Sequence, residues 1–372
     1  MKARLLFPIS LFFVIIFILI IPIRTFGQVS ITDSLALVSL YNNTNSEYWM
    51  HGWDLETPVP TWYGVGVDGN RVDSLHLQDN GLSGVLPASI GNLSEMNYLN
   101  LSHNHLDGEI PTTMWNLVKL YYLNLNSNQL DGTISGNVGD LSQLQYLDLG
   151  GNTLTGSIPS EMSSLENLIM LSLRYNQLSG SIPEWVGDLS NLEELDLSMN
   201  EHSGMAFQGS IPSSIGQLTN LKTLNLSGNI LDGEIPGNLA NLANLEYLYL
   251  SNNNLSGAIP EDLGNLAKLR VFNLDMNDIS GTIPSSLGNL DSLVTFKVNG
   301  NQLEGAVPEE FNNLDKLIYL YVHNNNLTGL PDLTGMDTLG ICYVDKNKLT
   351  FEDIVPNLDA AFQKFRYAPQ DS

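Results

Sequence analysis

Residues 168–183 read LIMLSLRYNQLSGSIP, and this phrase decides the fold. Its first nine residues have the form L-x-x-L-x-L-x-x-N, which recurs twelve times with other apolar residues at some leucine positions. Successive copies lie 24 residues apart, except for one step of 29 and one of 22. A fixed period of this length predicts a repeat solenoid, in which each unit buries its apolar side chains by stacking on its neighbours. The closing asparagines are Asn80, Asn104, Asn128, Asn152, Asn176, Asn200, Asn229, Asn253, Asn277, Asn301, Asn325 and Asn347.

The asparagine column has a physical cause. Leucines such as Leu123 and Leu125 alternate at the period of a strand, so both point inward while the residue between them faces solvent. Where each unit leaves its strand, buried backbone N–H and C=O groups need partners. An amide side chain donates and accepts at once, so the sequence predicts a ladder of asparagines along the stacked strands.

The phrase continues as N-x-L-x-G-x-I-P-x-x-(L/I)-G-x-L, for example in Asn176–Pro183 (NQLSGSIP) and Asn253–Pro260 (NNLSGAIP). It resembles the leucine-rich repeat family, specifically the 24-residue subtype of plant receptors and of secreted or surface bacterial proteins. The resemblance covers about residues 72–350. It implies a right-handed horseshoe with a concave parallel β-sheet of about twelve strands. The convex side is then expected to hold 3₁₀ or short extended segments.

The ends of the chain predict four segments: a signal peptide (1–27), an N-terminal cap (28–71), the repeats (72–350), and a C-terminal cap with a polar linker stub from Arg366 (351–372). The first segment has a positive start, an apolar run and small residues before Gln28. The run is nearly long enough to span a bilayer, so a retained anchor is the alternative. Both interpretations predict a secreted or cell-surface protein, without membrane insertion once the signal is cleaved.

In the N-terminal cap, Thr32 or Asp33 is in position to cap a short amphipathic helix. Trp62–Val65 resembles the W-x-G-V element of plant-type caps, but Pro60 and Val67 stand near the places of the two flanking cysteines. Gly64–Gly69 matches G-x-G-x-x-G, yet a repeat strand rather than a helix follows it, so no nucleotide cofactor is expected. Four apolar residues are expected toward one side of the helix: Leu35, Leu37, Val38 and Leu40. A second apolar set after the repeats suggests a covering segment: Phe351, Ile354, Val355, Leu358 and Phe362.

Composition limits the possible partners and chemistry. Forty acidic and fifteen basic residues give a net charge of −25, which disfavours nucleic acids and anionic membranes as partners. The single cysteine, Cys342, occupies an inward strand position and predicts a buried, unreactive thiol. The six histidines are scattered and no G-x-S-x-G elbow occurs, so we predict no metal site, no cofactor and no enzymatic activity.

Tyrosine is concentrated on one predicted surface. The residues six, four, two and one before each asparagine are expected to point from the sheet into solvent, and they include nine of the fourteen tyrosines. Tyrosine offers an apolar ring and a hydroxyl at low entropic cost, although aromatic residues also favour strands for packing alone. The predicted ligand-binding residues are Tyr98, Tyr122, Tyr146, Arg174, Tyr175, Tyr247, Tyr249, Tyr319, Tyr321 and Tyr343.

The same positions hold six acidic and three basic residues, so this surface is far less acidic than the whole chain. The resemblance and this surface favour extracellular recognition of a protein, peptide or glycan, in adhesion or host contact. One alternative is an inhibitor of a secreted hydrolase, as some plant relatives of this repeat subtype are. A third hypothesis is an enzyme whose site lies on the loop at residues 202–206, which the 29-residue step creates.

Overall fold

The computed structural model describes residues 28–201, 204–360 and 362–371. The predicted signal peptide, residues 1–27, lies outside the described residues, and so do His202 and Ser203 of the predicted loop. In the part of the chain that is described, no helix is long and apolar enough to cross a membrane.

A sheet of 14 strands runs the length of the solenoid, with the strands side by side in chain order. Its strands are β1 (Val65–Asp68), β2 (Arg71–His76), β3 (Tyr98–Asn100), β4 (Tyr122–Asn124), β5 (Tyr146–Asp148), β6 (Met170–Ser172), β7 (Glu194–Asp196), β8 (Thr223–Asn225), β9 (Tyr247–Tyr249), β10 (Val271–Asn273), β11 (Thr295–Lys297), β12 (Tyr319–Tyr321), β13 (Ile341–Tyr343) and β14 (Lys364–Arg366). Strands β2–β13 are parallel, and each belongs to one asparagine phrase; we call these phrases coils 1–12. The predicted solenoid is confirmed, with one more strand at each end: β1 pairs antiparallel with β2, and β14 pairs parallel with β13.

Each of coils 1–10 crosses the core and returns through a short 3₁₀ helix on the far side. A proline with extended backbone precedes most of these helices, as Pro260 precedes Glu261–Asn265, because its fixed φ suits a helix entry and it needs no N–H partner. Between sheet and helices the inward leucines, such as Leu123 and Leu125, have no exposed surface. The coil helices are Ala88–Asn92, Thr112–Asn116, Gly136–Asp140, Ser160–Ser164, Glu184–Asp188, Ser213–Gln217, Gly237–Asn241, Glu261–Asn265, Ser285–Asn289 and Glu309–Asn313.

The expected amide ladder is present. The Asn128 Nδ2 donates to the carbonyl oxygens of Leu125 in its own coil and Leu101 in the coil before, each at 3.0 Å. The Asn128 Oδ1 accepts the N–H of Leu106, also in the coil before, at 3.0 Å. Each asparagine therefore satisfies buried backbone groups of two neighbouring coils at once.

Short outer strands line one edge of the solenoid, where the L-x-G-x-I part of each phrase lies. At Gly132 the backbone has φ 74°, and a Cβ there would lie 2.7 Å from Cγ of Glu109 in the preceding coil. Only glycine meets both conditions, since other residues rarely adopt a positive φ. The outer strands are Ser83–Val85, His105–Glu109, Gln129–Asp131, Thr155–Gly156, Gln177–Leu178, Gln208–Ser210, Ile230–Asp232, Ser280–Thr282, Gln302–Ala306 and Asn326–Gly329.

The N-terminal cap joins coil 1 through a buried carboxylate. Helix α1 (Ile31–Asn43) begins after Ser30, and neither Thr32 nor Asp33 caps it. The fully buried Asp33 instead accepts the N–H of Val72 (2.8 Å) and Nε–H of Arg71 (3.0 Å). Burial of the four expected apolar residues is uneven: Leu37 and Leu40 are buried, Val38 is partly buried and Leu35 is 64% exposed.

Aromatic rings fill the cap behind α1. Trp53 stacks between Tyr41 and Trp62, with ring centroids 5.8 and 5.0 Å away, and Trp49 meets Trp53 edge-on at 4.9 Å. Two further 3₁₀ turns, Ser46–Tyr48 and Val59–Thr61, shape this segment. The G-x-G-x-x-G match lies in the hairpin of β1 and β2, so its context is not that of a nucleotide-binding turn.

Residues after coil 12 form a thirteenth coil, where the sequence predicted a polar linker from Arg366 onward. Helix α2 (Phe351–Ile354) and the 3₁₀ turn Val355–Asn357 lead to β14, which ends at Arg366. Gln370 then takes the place of the closing asparagine: its Nε2 donates to the carbonyl oxygens of Tyr367 and Val344, and its Oε1 accepts the N–H of Asn347 at 3.0 Å.

The predicted covering segment buries less than its composition suggested. Ile354 is buried and Phe362 is partly buried against the core. Phe351, Val355 and Leu358 are 76%, 41% and 45% exposed. Cys342 is fully buried as expected, and this burial raises the pKa of its thiol to about 12.

Candidate ligand-binding surface

The solvent-facing side of the 14-stranded sheet, which we call the concave face, carries a continuous stack of aromatic rings at its N-terminal end. Tyr98, Tyr122 and Tyr146 stand in register on β3, β4 and β5. Neighbouring rings are nearly parallel with centroids 4.3 Å apart, and His76 stacks on Tyr98 at the same distance. The three rings cover one another's faces, so each tyrosine presents its edge and hydroxyl to a ligand. Burial raises the pKa of Tyr98 and of Tyr146, so both hydroxyls stay protonated further into the alkaline range than an exposed tyrosine.

The predicted second tyrosine cluster consists of two separate groups. Tyr247 and Tyr249 lie on β9, and two strands separate them from Tyr319 and Tyr321 on β12. In the second group, Tyr321 meets Tyr343 edge-on, with ring centroids 5.2 Å apart. The sequence interpretation grouped all these residues in one cluster, although coils 9 and 10 hold Val271, Asn273, Thr295 and Lys297 in these columns and separate the two groups.

Arg174 and Tyr175 lie apart from both groups, where coil 5 turns out of its strand. Tyr175 adopts φ 51° and is 56% exposed, the most exposed of the nine predicted tyrosines. Its ring makes no aromatic contact with another described residue. Arg174 is also exposed, so this pair is free to contact a partner without disturbing the sheet.

The polar columns four and two residues before the asparagine differ from expectation. They were predicted to point into solvent, but several of their members are buried: Asn100, Ser102, Asp148, Ser172, Asp196 and Ser198. The Asn100 Oδ1 accepts the N–H (3.1 Å) and the O–H (2.7 Å) of Ser102, and Asp196 receives the same two bonds from Ser198. These turns of the Asx type form because each strand ends just after the first of the two residues.

Charge is unevenly distributed along the concave face. Asp148, Glu194 and Asp196 lie on β5 and β7, and burial together with Asp196 and Asp148 raises the pKa of Glu194. Four basic residues lie near the other end: Lys297, Lys346, Lys364 and Arg366. The last two were missed because the sequence interpretation placed Lys364 in the C-terminal cap and Arg366 at the start of a linker, not on a strand of the sheet.

Aromatic rings hold several of these cations in place. The Arg366 guanidinium lies 4.1 Å from the ring centroid of Tyr343, and its Nε donates to Asp345 Oδ1 at 2.6 Å. The Lys297 ammonium lies 5.1 Å from the ring centroid of Tyr321. Such cation–π contacts stabilise a fixed position of the charge. Among the described residues, no three histidine, cysteine, aspartate or glutamate side chains form a metal-sized cluster.

These features define a class: a repeat solenoid with a long, aromatic sheet face that the described part of the chain leaves uncovered. A family model described as "leucine-rich repeat region" matches residues 112–209, and one described as "leucine rich repeat" matches residues 70–130 and 219–279. The chain belongs to the leucine-rich repeat family. Its assignment to the 24-residue plant-type subtype stays a prediction from the spacing.

Solved structures with similar folds include two plant receptor ectodomains. The ectodomain of the Arabidopsis thaliana membrane receptor kinase GASSHO1/SCHENGEN3, in complex with CASPARIAN STRIP INTEGRITY FACTOR 2, is 30% identical with a TM-score of 0.80. The match covers 91% of this chain and 44% of that one. The Arabidopsis receptor kinase HAESA, in complex with the peptide hormone IDA and the co-receptor SERK1, is also 30% identical with a TM-score of 0.71. That match covers 86% of this chain and 58% of the other, so our chain spans about half the length of these receptor chains.

A shorter relative matches over nearly its whole length. A plant ice-binding protein is 30% identical with a TM-score of 0.69, and the match covers 81% of this chain and 96% of that protein. Leucine-rich repeat relatives of this chain are therefore known as binding proteins with different partners.

Proposed function

We propose that this chain is an extracellular recognition module that binds an extended peptide or a segment of a partner protein along its concave face. The observation that carries the proposal is the composition of this face. Nine tyrosines lie on it, and with Lys364 and Arg366 its charges number six acidic and five basic, in a chain of net charge −25. A nearly neutral aromatic surface on an otherwise acidic molecule favours contact with a polypeptide.

The relatives support the same class of partner. HAESA binds a peptide hormone, and a sheet of this length presents many successive strands to an extended ligand. A signal peptide at residues 1–27 would place the module outside the cell, secreted or on the surface, where adhesion or host contact takes place. A smooth sheet lacks the deep cleft that a glycosidase needs, so the proposed role is binding rather than catalysis.

An array of extracellular peptides, surface proteins and glycans, probed with the purified chain, tests this proposal. We expect retention of at least one peptide or protein and at least a tenfold loss of that binding in a Tyr175→Ala/Tyr319→Ala double variant. Tyr175 is 56% exposed and Tyr319 is 37% exposed, so truncating these two side chains leaves the stack of Tyr98, Tyr122 and Tyr146 intact.

A second variant, Tyr98→Phe/Tyr122→Phe/Tyr146→Phe, keeps the ring stack and removes three hydroxyls. The matched control is Tyr48→Ala, since Tyr48 is 69% exposed in the N-terminal cap, away from the concave face. An array that retains nothing, or binding that both concave-face variants leave unchanged, would contradict the proposal.

A further inference from the structure

An acidic group lies at the concave face in coils 4–6, formed by the half-buried Glu194 and by Asp148 and Asp196, whose side chains are largely buried. Asp148 on β5 and Asp196 on β7 flank Ser172 on β6, in register on both sides. Ser172 is 1% exposed, and its Oγ has no hydrogen-bond partner among the residues that the structure describes. A buried hydroxyl without a partner carries an energetic cost, which a donor arriving between the two carboxylates would remove. Arg174 supplies one positive charge here against three negative ones.

A basic group lies at the other end of the same face, formed by Lys297, Lys346, Lys364 and Arg366. Lys346, Lys364 and Arg366 are exposed, and Asp275 and Asp345 are the acidic residues of coils 9–13 in the same columns. The Tyr321 and Tyr343 rings contact Lys297 and Arg366. The group therefore has excess positive charge. Its contacts with the two tyrosine rings fix the positions of Lys297 and Arg366 before a ligand binds.

The distance between the two groups sets the length of a ligand that reaches both. Seven strand-to-strand steps separate β7 from β14, which corresponds to roughly 34 Å at about 4.8 Å per step. An extended peptide rises about 3.3 Å per residue, so about ten residues span the gap. A uniformly anionic polymer would be repelled by the acidic group and by the chain's net charge.

We infer that the ligand is a dipolar extended polypeptide. Its basic side chains lie over Asp148, Glu194 and Asp196, and its carboxylates, about ten residues away, lie over the basic group. This inference rests on the proposed function and specifies the partner of the same face. The raised pKa of Glu194 is consistent with it, since a bound cation would relieve the repulsion among the three carboxylates.

A phage-displayed library of random 16-residue peptides, selected on the purified chain, tests the inference. We expect enriched peptides to carry basic residues and acidic residues about ten positions apart. Affinity for a selected peptide should fall at least tenfold in Glu194→Lys, and separately in Lys346→Glu/Lys364→Glu. Glu194→Gln provides a milder change in case the lysine disturbs folding, which circular dichroism would show, and it should lower affinity by a smaller factor.

Two controls separate local charge from net charge. Glu109→Lys makes the same charge change on an exposed outer strand and should leave affinity unchanged. A peptide whose basic residues are replaced by Glu should regain binding to Glu194→Lys. If peptides are enriched without the charge separation, or bind equally to both reversal variants, this inference alone is overturned. If the library yields no binder at all, the proposed function fails with it.

Discussion

At the scale of single residues, the closing asparagine of each coil acts as a joint between coils. The Asn176 Nδ2 donates to Leu173 in its own coil and to Leu149 in the preceding one, at 3.2 and 3.0 Å, and its Oδ1 accepts the N–H of Leu154 at 3.0 Å. Asn176 is 5% exposed, so water cannot replace these bonds without opening the core.

We predict that Asn176→Ala lowers the free energy of unfolding by about 3 kcal/mol, because it leaves several buried backbone groups unsatisfied. Denaturant unfolding followed by circular dichroism measures the change. The matched control is Asn191→Ala, since the Asn191 Nδ2 also donates to a carbonyl of the preceding coil, Glu166 O at 2.9 Å, but in an exposed position. We expect Asn191→Ala to change the free energy of unfolding by no more than about 0.5 kcal/mol. Equal losses of stability in both variants would show that the buried ladder bonds stabilise the protein no more than an exposed bond does.

At the scale of elements, the 3₁₀ helices of neighbouring coils pack closely because of glycine. A Cβ at Gly264 would lie 2.8 Å from the Ser286 Cβ in the next coil and would also overlap the Ser286 carbonyl. At Gly237, the first residue of the 3₁₀ helix Gly237–Asn241, a Cβ would meet nothing within 4 Å. In the coils that carry it, the glycine of the x-G-x-L phrase therefore allows neighbouring 3₁₀ helices to approach closely, whereas Trp115 and Ala240 occupy this position in two other coils.

Gly264→Ala and Gly237→Ala form a matched pair of substitutions in equivalent helices. We expect Gly264→Ala to destabilise the protein by about 1–3 kcal/mol, because the methyl group pushes two coils apart. Gly237→Ala should stabilise it by about 0.4–1 kcal/mol, since alanine restricts the unfolded chain. Thermal and denaturant unfolding of the two variants compare them, and a destabilised Gly237→Ala together with a neutral Gly264→Ala would refute this account of the packing.

The elements also show how far the sequence could predict the structure. The strands, the amide ladder and the 3₁₀ segments were predictable because every coil repeats the same local requirement. The concave face was predictable at the columns that hold Tyr98 and Tyr175, but less so at those that hold Asn100 and Ser102, since a strand of three residues ends before the alternation reaches Ser102. Coil 13 was missed because Gln370 replaces the asparagine, and with it the sequence interpretation missed the two cations of β14.

At the scale of the whole molecule, each coil contacts only its neighbours, so stability is transmitted from one coil to the next. The N-terminal end depends on Asp33, whose carboxylate joins α1 to β2 and has no exposed surface. Loss of that carboxylate leaves the Val72 N–H without its partner and removes the ion pair with Arg71.

We predict that Asp33→Ala costs about 3 kcal/mol and that the loss is local at first. Hydrogen exchange should show reduced protection in the cap and coils 1–2, with the central coils still protected, because a solenoid opens from its ends. Glu95→Ala is the control, since the Glu95–Lys119 ion pair is exposed to solvent and such pairs add little to stability. A uniform loss of protection along the chain would instead indicate a single cooperative unit.

Each asparagine bonds backbone groups of the coil before it. This arrangement affects how the number of coils can change in evolution. Any coil can follow any other, because the donors and acceptors that one coil leaves open are those that the next one fills. Unequal recombination between two copies of the gene segment would therefore lengthen or shorten the protein by whole units without creating a junction of a new kind. The reach of the binding surface can change by genetic duplication while the rules of folding stay the same.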